Sequence, residues 1–415
     1  MNRRAFSLLT AILALSACAE GRGPAGPATS LGSAPAPAPA AGGGTGPVAL
    51  LVPLTGDNAE RGQVLVQAAQ LALAAPGSPP LDVRDTAGTP DGAAAAVQAA
   101  LAAGDALILG PLTGAETAVV AGPARAAGVP VLAFTNDPGQ ARPGVWTLGI
   151  TPAQQMRRLA GAVTAAGKTR VAALLPPGPF GQAMAAALSD SLAAAGAPAA
   201  VIRFHNGTDP SIQASLRDLS DYADRRGPID AKIKEARDKH TLEGRKEAAE
   251  LAKTPIPPPP FDALLLADTG EHLAWAASFL SYYDVDPPAV QIMGPALWAN
   301  PAALGGAELN GAWYAAPDPA ARTAFDADFQ AKYGVPAPTL ADFAYDAAAI
   351  ARVLAAGGGY GTASLTRTEG FAGVDGVFAL QPDGTVRRGL AVFAIHRGGP
   401  TVVEAAPTAL GAPGI

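Results

Sequence analysis

The sequence predicts an α/β protein built from two doubly wound parallel-sheet lobes, with a charged helical insertion in the second. Three observations carry this. Short β-prone apolar runs recur along the chain, and each is followed by an Ala-rich stretch with helical spacing. The runs are continuously apolar rather than alternating, as expected of strands covered on both faces. About 360 residues follow the leader and tether, too many for one small core, so two domains are the natural expectation.

The chain opens with Arg3 and Arg4, an apolar stretch from Ala5 to Leu15, and then Leu15-Ser16-Ala17-Cys18. These are the proportions of a secretory signal, and its end resembles a bacterial lipobox. The apolar run is too short to span a bilayer as a helix. Residues 1–18 therefore read as a lipoprotein signal peptide, with lipid on Cys18 as the membrane anchor. Stable anchoring takes more than one acyl chain. Arg3-Arg4-Ala5-Phe6 also resembles a twin-arginine start, so either export route is open. Ala19 rather than aspartate after the cysteine favours the outer membrane over the inner. Cys18 is the single cysteine, so no intramolecular disulfide is possible and stability must come from a sizeable core. Residues 19–46 are Ala, Gly and Pro with almost no large apolar side chain, which reads as a tether.

The predicted strands are Val48–Leu54, Leu81–Asp85, Ala106–Gly110, Val129–Phe134, Arg170–Leu175, Ala199–Phe204, Asp262–Asp268 and Val290–Gly294. Between them lie predicted helices at Arg61–Ala75, Asp91–Ala103, Thr113–Ala127, Pro152–Ala166, Gly181–Ala195 and Glu271–Tyr283. In the first of these, Val64, Ala68, Leu71 and Ala75 share one face. A break near Trp146–Thr151 divides the series into a first lobe, 47–146, and a second, 147–334. Pro319–Tyr333 and Thr339–Ala355 read as two further helices. Gly370–Leu380, with the turn Gln381-Pro382-Asp383-Gly384, forms a hairpin with Val386–Ile395. Residues of about 335–395 complete the first lobe, and 396–415 are a C-terminal tail. Leu216 to Lys253 is dense in Arg, Lys, Asp and Glu, and Pro257–Pro260 stops it. The insertion, 216–260, reads as a solvated helical excursion with a stiff return.

Net charge is −6, from 29 basic and 35 acidic residues, and no basic stripe accompanies aromatic residues, which argues against nucleic-acid binding. His205, His240, His272 and His396 show no metal-ligand spacing, so neither a metal nor a cofactor is expected. Gly167-Lys168-Thr169 mimics the end of a phosphate loop, but it ends a helix and precedes a strand. Gly167 is better explained as a left-handed helix cap. No catalytic constellation emerges, and the sequence gives no support for an enzyme.

In a doubly wound fold the residues just after the strands line the ligand site. Here they include Thr55, Thr113 and Thr135 from the first lobe, and Phe180, Asp268, Thr269 and Ala296 from the second. Hydroxyls and free N–H groups at helix starts suit an anion such as a carboxylate. Thr113, Asp268 and Thr269 stand equally well as helix caps.

The order of Pro53-Leu54-Thr55-Gly56, Leu109-Gly110-Pro111-Leu112-Thr113, Gly128-Val129-Pro130-Val131-Leu132 and Gly370-Phe371-Ala372-Gly373-Val374-Asp375-Gly376 resembles the type I periplasmic binding fold of leucine/isoleucine/valine receptors. Such a resemblance implies two lobes joined by a multi-strand hinge. Within that superfamily the chain looks most like the lipoprotein penicillin-binding-protein activators, through its anchor, its tether, the charged insertion, Leu132-Ala133-Phe134-Thr135-Asn136-Asp137 and Trp313-Tyr314-Ala315-Ala316-Pro317-Asp318. Amino-acid receptors of this type place hydroxyls matching Thr113 and Thr135 on the ligand carboxylate. They place a tyrosine where this chain has Phe180, and an acidic partner for the ligand ammonium where it has Ala296. Half of the zwitterion clamp is missing. The resemblance therefore implies a non-enzymatic, lipid-anchored envelope protein that partners a penicillin-binding protein in peptidoglycan synthesis, with a small carboxylate as a further ligand. The alternative is the substrate-binding lipoprotein of an ABC importer for branched-chain or amide-like amino acids.

Overall fold

A computed structural model describes residues 44–410. The signal segment, Cys18 and all but the end of the tether lie outside the described residues.

The first lobe runs β1 (Val48–Val52), α1 (Ala59–Ala72), β2 (Leu81–Asp85), α2 (Pro90–Ala103), β3 (Leu107–Leu109), α3 (Gly114–Ala126), β4 (Val131–Ala133) and β5 (Val145–Thr147). All five strands are parallel, in the order β2-β1-β3-β4-β5. The sequence of β1, Val-Ala-Leu-Leu-Val, is apolar throughout because both faces are covered. Val48, Leu50 and Val52 pack on α1, while Ala49 and Leu51 pack on α2 and α3. Each fully buried leucine or valine contributes about 1.5–3 kcal/mol relative to exposure. Thr89 starts α2 by accepting from Gly92 N–H at 3.1 Å, with Pro90 in the first turn.

The second lobe runs α4 (Pro152–Ala165), β6 (Val171–Leu175), α5 (Pro179–Ala194), β7 (Val201–Phe204), α6 (Asp209–Leu219), α7 (Tyr222–Asp238), α8 (Leu242–Leu251), β8 (Ala263–Leu266), α9 (Gly270–Leu280), β9 (Gln291–Gly294) and β10 (Trp313–Ala316). The chain then returns through α10 (Thr323–Tyr333), α11 (Ala341–Ala356), α12 (Thr362–Leu365), β11 (Phe371–Gly373), β12 (Gly376–Leu380), β13 (Val386–Arg388), β14 (Ala391–Ala394) and β15 (Thr401–Glu404). The large sheet has the order β15-β14-β10-β9-β8-β6-β7, with antiparallel pairings only around β14. β6 repeats the logic of β1. Ala172 and Leu174 pack toward α6 and α9, and Val171, Ala173 and Leu175 toward α4 and α5. Gly167 has φ +76° just after α4, the left-handed stop that the sequence indicates.

Several boundaries differ from the sequence reading. The break placed at Trp146–Thr151 overlaps a fifth strand, because Val145-Trp146-Thr147 pairs parallel with β4 and Trp146 is buried. Thr147 breaks its apolar run, which lies between Gly144 and Gly149, so it lacks the continuous pattern of β3 and β4. β10 was not among the predicted strands for a similar reason, since two of its four residues are alanine. The Asp383-Gly384 turn forms, with Gly384 at φ +92°. Its second arm splits at Gly389-Leu390, so that β13 pairs with β12 while β14 joins β10 in the large sheet. The return to the first lobe begins before 335. Phe325 and Phe329 of α10 share a core with Val48 and Leu50, and Tyr333 Oη donates to the Gln67 carbonyl at 2.8 Å. Thr401–Glu404, placed in the tail, is the edge strand β15.

The charged insertion is a helical hairpin, α7 and α8, held internally by the small cluster Ile233, Ala236 and Ala248. Leu216 and Leu219, read as part of it, instead belong to α6 and sit in the second-lobe core. Arg225 roots the hairpin. Its Nε donates to the Pro257 carbonyl at 2.6 Å, and Nη1 to Ser220 and Tyr283 carbonyls at 2.9 and 3.1 Å. Three crossovers join the lobes, at residues 148–151, 317–322 and 389–390, which is the multi-strand hinge.

Candidate functional site

The predicted site residues stand in loops at the carboxyl ends of the two parallel sheets, where a doubly wound fold presents its ligand site. Most of their polar atoms are already engaged by the chain itself.

After β1, the loop is gathered onto Asp85 at the end of β2. Asp85 Oδ1 accepts from Leu54 N–H at 2.7 Å, Thr55 N–H at 3.3 Å and Ala87 N–H at 2.7 Å, and Thr55 Oγ1 donates to Oδ2 at 2.6 Å. Burial pushes the Asp85 carboxyl up, but the Thr55 hydroxyl and these backbone donors outweigh it and hold it below its ordinary value. Thr55 is thus a strut of its own loop.

After β3, the backbone turns through Gly110 at φ +88°, where a β-carbon would sit 2.3 Å from the Leu51 carbonyl oxygen. Thr113 then caps α3 in a capping box. Its hydroxyl accepts from Glu116 N–H at 3.3 Å and donates to Glu116 Oε2 at 2.7 Å. Glu116 is fully buried and also accepts from Thr86 Oγ1 at 2.6 Å. At Thr113 capping describes the geometry, and the hydroxyl's one proton is spent. The first residue of α3, Gly114, abuts another part of the chain. A β-carbon there would lie 2.8 Å from Asp137 Oδ2. An acid of the protein's own therefore occupies the approach to this helix N-terminus, the place that suits an anion.

After β4, Thr135 is buried, and its Oγ1 accepts from Asp137 N–H at 3.1 Å, which leaves its own proton to give. Asp137 in turn accepts from Gly139 N–H and Gln140 Nε2 at 2.9 and 3.0 Å.

In the second lobe, Phe180 lies in the first turn of α5 and is 37% exposed. Asp268 is buried against His205, whose Nε2 lies 3.1 and 2.9 Å from its two oxygens. Gly207 N–H donates to His205 Nδ1 at 3.0 Å, so the imidazole carries its proton on Nε2 and donates it to Asp268. The Asp268 carbonyl accepts from Trp298 Nε1 at 3.0 Å. Asp268 thus fastens two loops together through its side chain and is no helix cap. Thr269 precedes α9 but makes no side-chain cap bond, so the capping reading of it is not realised. Ala296 N–H donates to Gln155 Oε1 at 2.8 Å, and Gln155 is buried.

Sequence reasoning missed Asp85, Glu116, Gln155 and the His205–Asp268 pair. Thr113 followed three residues later by Glu116 is a legible capping signature. Nothing local connects His205 to Asp268. Among the described residues no group of three or more His, Cys, Asp or Glu is placed to hold a metal ion. Nor, among them, is any helix long and apolar enough to cross a membrane.

Comparison with known proteins agrees with this geometry. The model of a family described as periplasmic binding protein matches residues 46–400. Among curated proteins none matches. A solved structure from Rhodospirillum rubrum, described as a branched-chain amino acid ABC transporter, superposes with a TM-score of 0.64 at 21% identity, covering 86% of this chain and 100% of its own. The C-domain of LpoA from Haemophilus influenzae, a regulator of PBP1A, gives 0.59 at 17% identity over 86% of this chain and 99% of that domain. Full-length LpoA gives 0.61 at 17%, with 88% of this chain matching 59% of that protein. At such identities the likeness is one of fold.

Proposed function

The chain belongs to the periplasmic binding protein family, and we propose that it uses the two-lobed fold as a protein-interaction module rather than as a solute receptor. In this reading it is held in the bacterial envelope by lipid on Cys18, with the outer membrane favoured. There it activates peptidoglycan synthesis by docking on a penicillin-binding protein. One observation carries the reading: the strand-end loops satisfy themselves. Asp137 lies against the start of α3, Thr113 spends its proton on Glu116, Asp268 is bound to His205, and the Ala296 N–H is taken by Gln155. A carboxylate ligand at α3 would meet Asp137, a like charge in a partly dry site, which costs several kcal/mol by order of magnitude. An amino-acid ammonium would find no acid at Ala296.

The likeness to LpoA supports the choice of partner. So does the hairpin of α7 and α8, an exposed charged projection suited to a salt-sensitive interface. At its root Asp221, Asp224, Arg225, Pro228, Ile229 and Pro257 border a hollow of about 470 Å³. The receptor reading, an ABC importer's amino-acid-binding subunit, keeps one observation in its favour. The Thr135 hydroxyl retains a proton to donate.

The test pairs capture of penicillin-binding proteins from detergent-solubilised membranes with calorimetric titration of leucine. Capture that fades with salt, and no heat at micromolar leucine, is the expected result. Micromolar leucine binding without capture overturns the proposal in favour of the receptor. Fractionation of Cys18→Ser, expected to leave the membrane, tests the anchor separately.

A further inference from the structure

The hinge contains a buried charge cluster that the proposed interaction does not use. Asp342 and Asp346 stand one turn apart at the start of α11, and Asp375 lies in the β11–β12 turn. They are only 1%, 3% and 4% exposed. Two arginines reach them. Arg322 Nη2 lies 3.0 Å from Asp342 Oδ1, and also 3.1 Å from Asp326 of α10 and 3.1 Å from the Ala337 carbonyl. Arg388 Nη1 lies 3.7 Å from Asp375 Oδ2, and its guanidinium is stacked 4.9 Å from the Phe378 ring centroid. Val374 N–H donates to Asp346 Oδ1 at 2.8 Å.

What distinguishes the cluster is where its members come from. Arg388 Nη2 donates at 3.0 Å to the carbonyl of Leu148, which opens the first crossover. Arg322 closes the second crossover, and Arg388 itself leads into the third. All three connections between the lobes therefore reach this buried group, the first of them through Arg388. Three buried carboxyl groups thus face two guanidiniums, one of them shared with Asp326, and Asp346 Oδ2 is buried with no hydrogen-bond partner. Carboxyls removed from water in excess of the cations around them cannot all stay charged, so the group keeps a proton. We propose that Asp342, Asp346, Asp375, Arg322 and Arg388 form a proton-held brace across the hinge, and that removing the proton loosens the angle between the lobes.

Of the charges on α10, Asp326 is already on Arg322, while Asp328 and Lys332 are exposed. β3 contributes only Leu107–Leu109. The charged residues opening α1, Glu60 and Arg61, are exposed, and Arg61 binds Asn58. Beside β11, Glu369 is exposed and pairs with Arg367 at 3.9 Å. Burial first, then Asp375, pushes the Asp342 carboxyl up to about 9 against the pull of Arg322. Burial likewise pushes Asp346 up to about 7, against Arg388 and the Val374 N–H. A carboxyl raised on folding gives stability that is complete below its unfolded value near 3.8 and is lost as pH rises through the folded one. The window is therefore pH 4 to 9.

The experiment follows the melting temperature of the full chain in detergent from pH 5 to 9, beside the distance between spin labels at Gln70→Cys and Asp190→Cys, exposed positions on the two lobes. The expected result is a melting temperature that falls with pH and a label distribution that broadens above pH 8. Asp342→Asn and Asp375→Asn, neutral replacements of similar shape, should each reduce both changes by more than half. An unchanged slope in both variants overturns the proposal. So does a label distribution that ignores pH while the slope behaves as expected, because the cluster would then be a static support. Where neither variant folds, carboxyl carbon NMR of the unsubstituted chain decides. A protonated aspartate at pH 7 supports the brace, and full ionisation refutes it.

Discussion

The hairpin of α7 and α8 and the hinge cluster are both rich in charge, yet physically they are opposites. Beyond Arg225 at its root, the hairpin's charges meet water and pair with near neighbours, as Arg226 does with Asp230 at 2.8 Å and Lys239 with Glu247 at 2.6 Å. In the hinge Asp342, Asp346, Asp375, Arg322 and Arg388 gather away from water, and the Arg388 and Asp375 side chains are 1% and 6% exposed. Water already solvates the first set, so its pairings gain little on folding. The second set has lost its water, so each partner is indispensable to the others. Charge density along a sequence therefore marks the hairpin, whereas burial marks the hinge.

The largest effect expected from this contrast is that of Arg388→Ala. Removing the guanidinium leaves Asp375 and Asp346 buried without their cation and the Leu148 carbonyl without its donor. Breaking a buried pair from one side costs roughly 3–5 kcal/mol. Urea unfolding at neutral pH measures it, and a loss below about 1 kcal/mol would show that the hinge charges are solvated after all.

A smaller effect is expected from excising the hairpin. Replacing residues 227–254 by a short Gly/Ser link keeps Arg225 and Pro257, whose hydrogen bond closes the hairpin root. The apolar cluster removed is only Ile233, Ala236 and Ala248 with Ile229 and Leu251 against it, and it packs within the excised segment. The expected melt stays close to that of the intact chain, while capture of the partner is lost. A collapsed melt would place the hairpin with the hinge, among the parts the fold depends on.

The sequence disclosed these two regions unequally. A parallel lobe is legible because continuous apolar runs such as Val48–Val52 mark strands covered on both faces. Val145–Thr147, ended by a threonine, and Trp313–Ala316, half alanine, lack that continuous apolar pattern. Among the site residues, Thr113 was visible as a hydroxyl before a helix, but its role depends on Glu116 being buried against Thr86. The seat at Gly114 depends on Asp137, a neighbour brought there by the loop after β4. The hinge cluster was invisible for the same reason. Arg322, Asp342, Asp375 and Arg388 are scattered along the return through the first lobe, and only three-dimensional proximity makes them one group.

The smallest effect belongs to Arg226→Ala, and its smallness is the point. Arg226 Nε meets Asp230 Oδ1 at 2.8 Å across one helical turn, in a geometry as close as any pair in the hinge. Distance alone would rank it above Arg388 and Asp375, which stand 3.7 Å apart. The surroundings reverse that order. The Asp230 side chain is 57% exposed, so when Arg226 goes, water replaces it at once. Pairs of this kind contribute about 0.3–0.5 kcal/mol, and salt screens them further. The same urea series, run at low and at high salt, should place Arg226→Ala within about 0.5 kcal/mol of the parent chain. Any difference should shrink as salt rises. A cost approaching that of Arg388→Ala would mean that the hairpin is packed against something in solution, and the contrast between the two regions would dissolve.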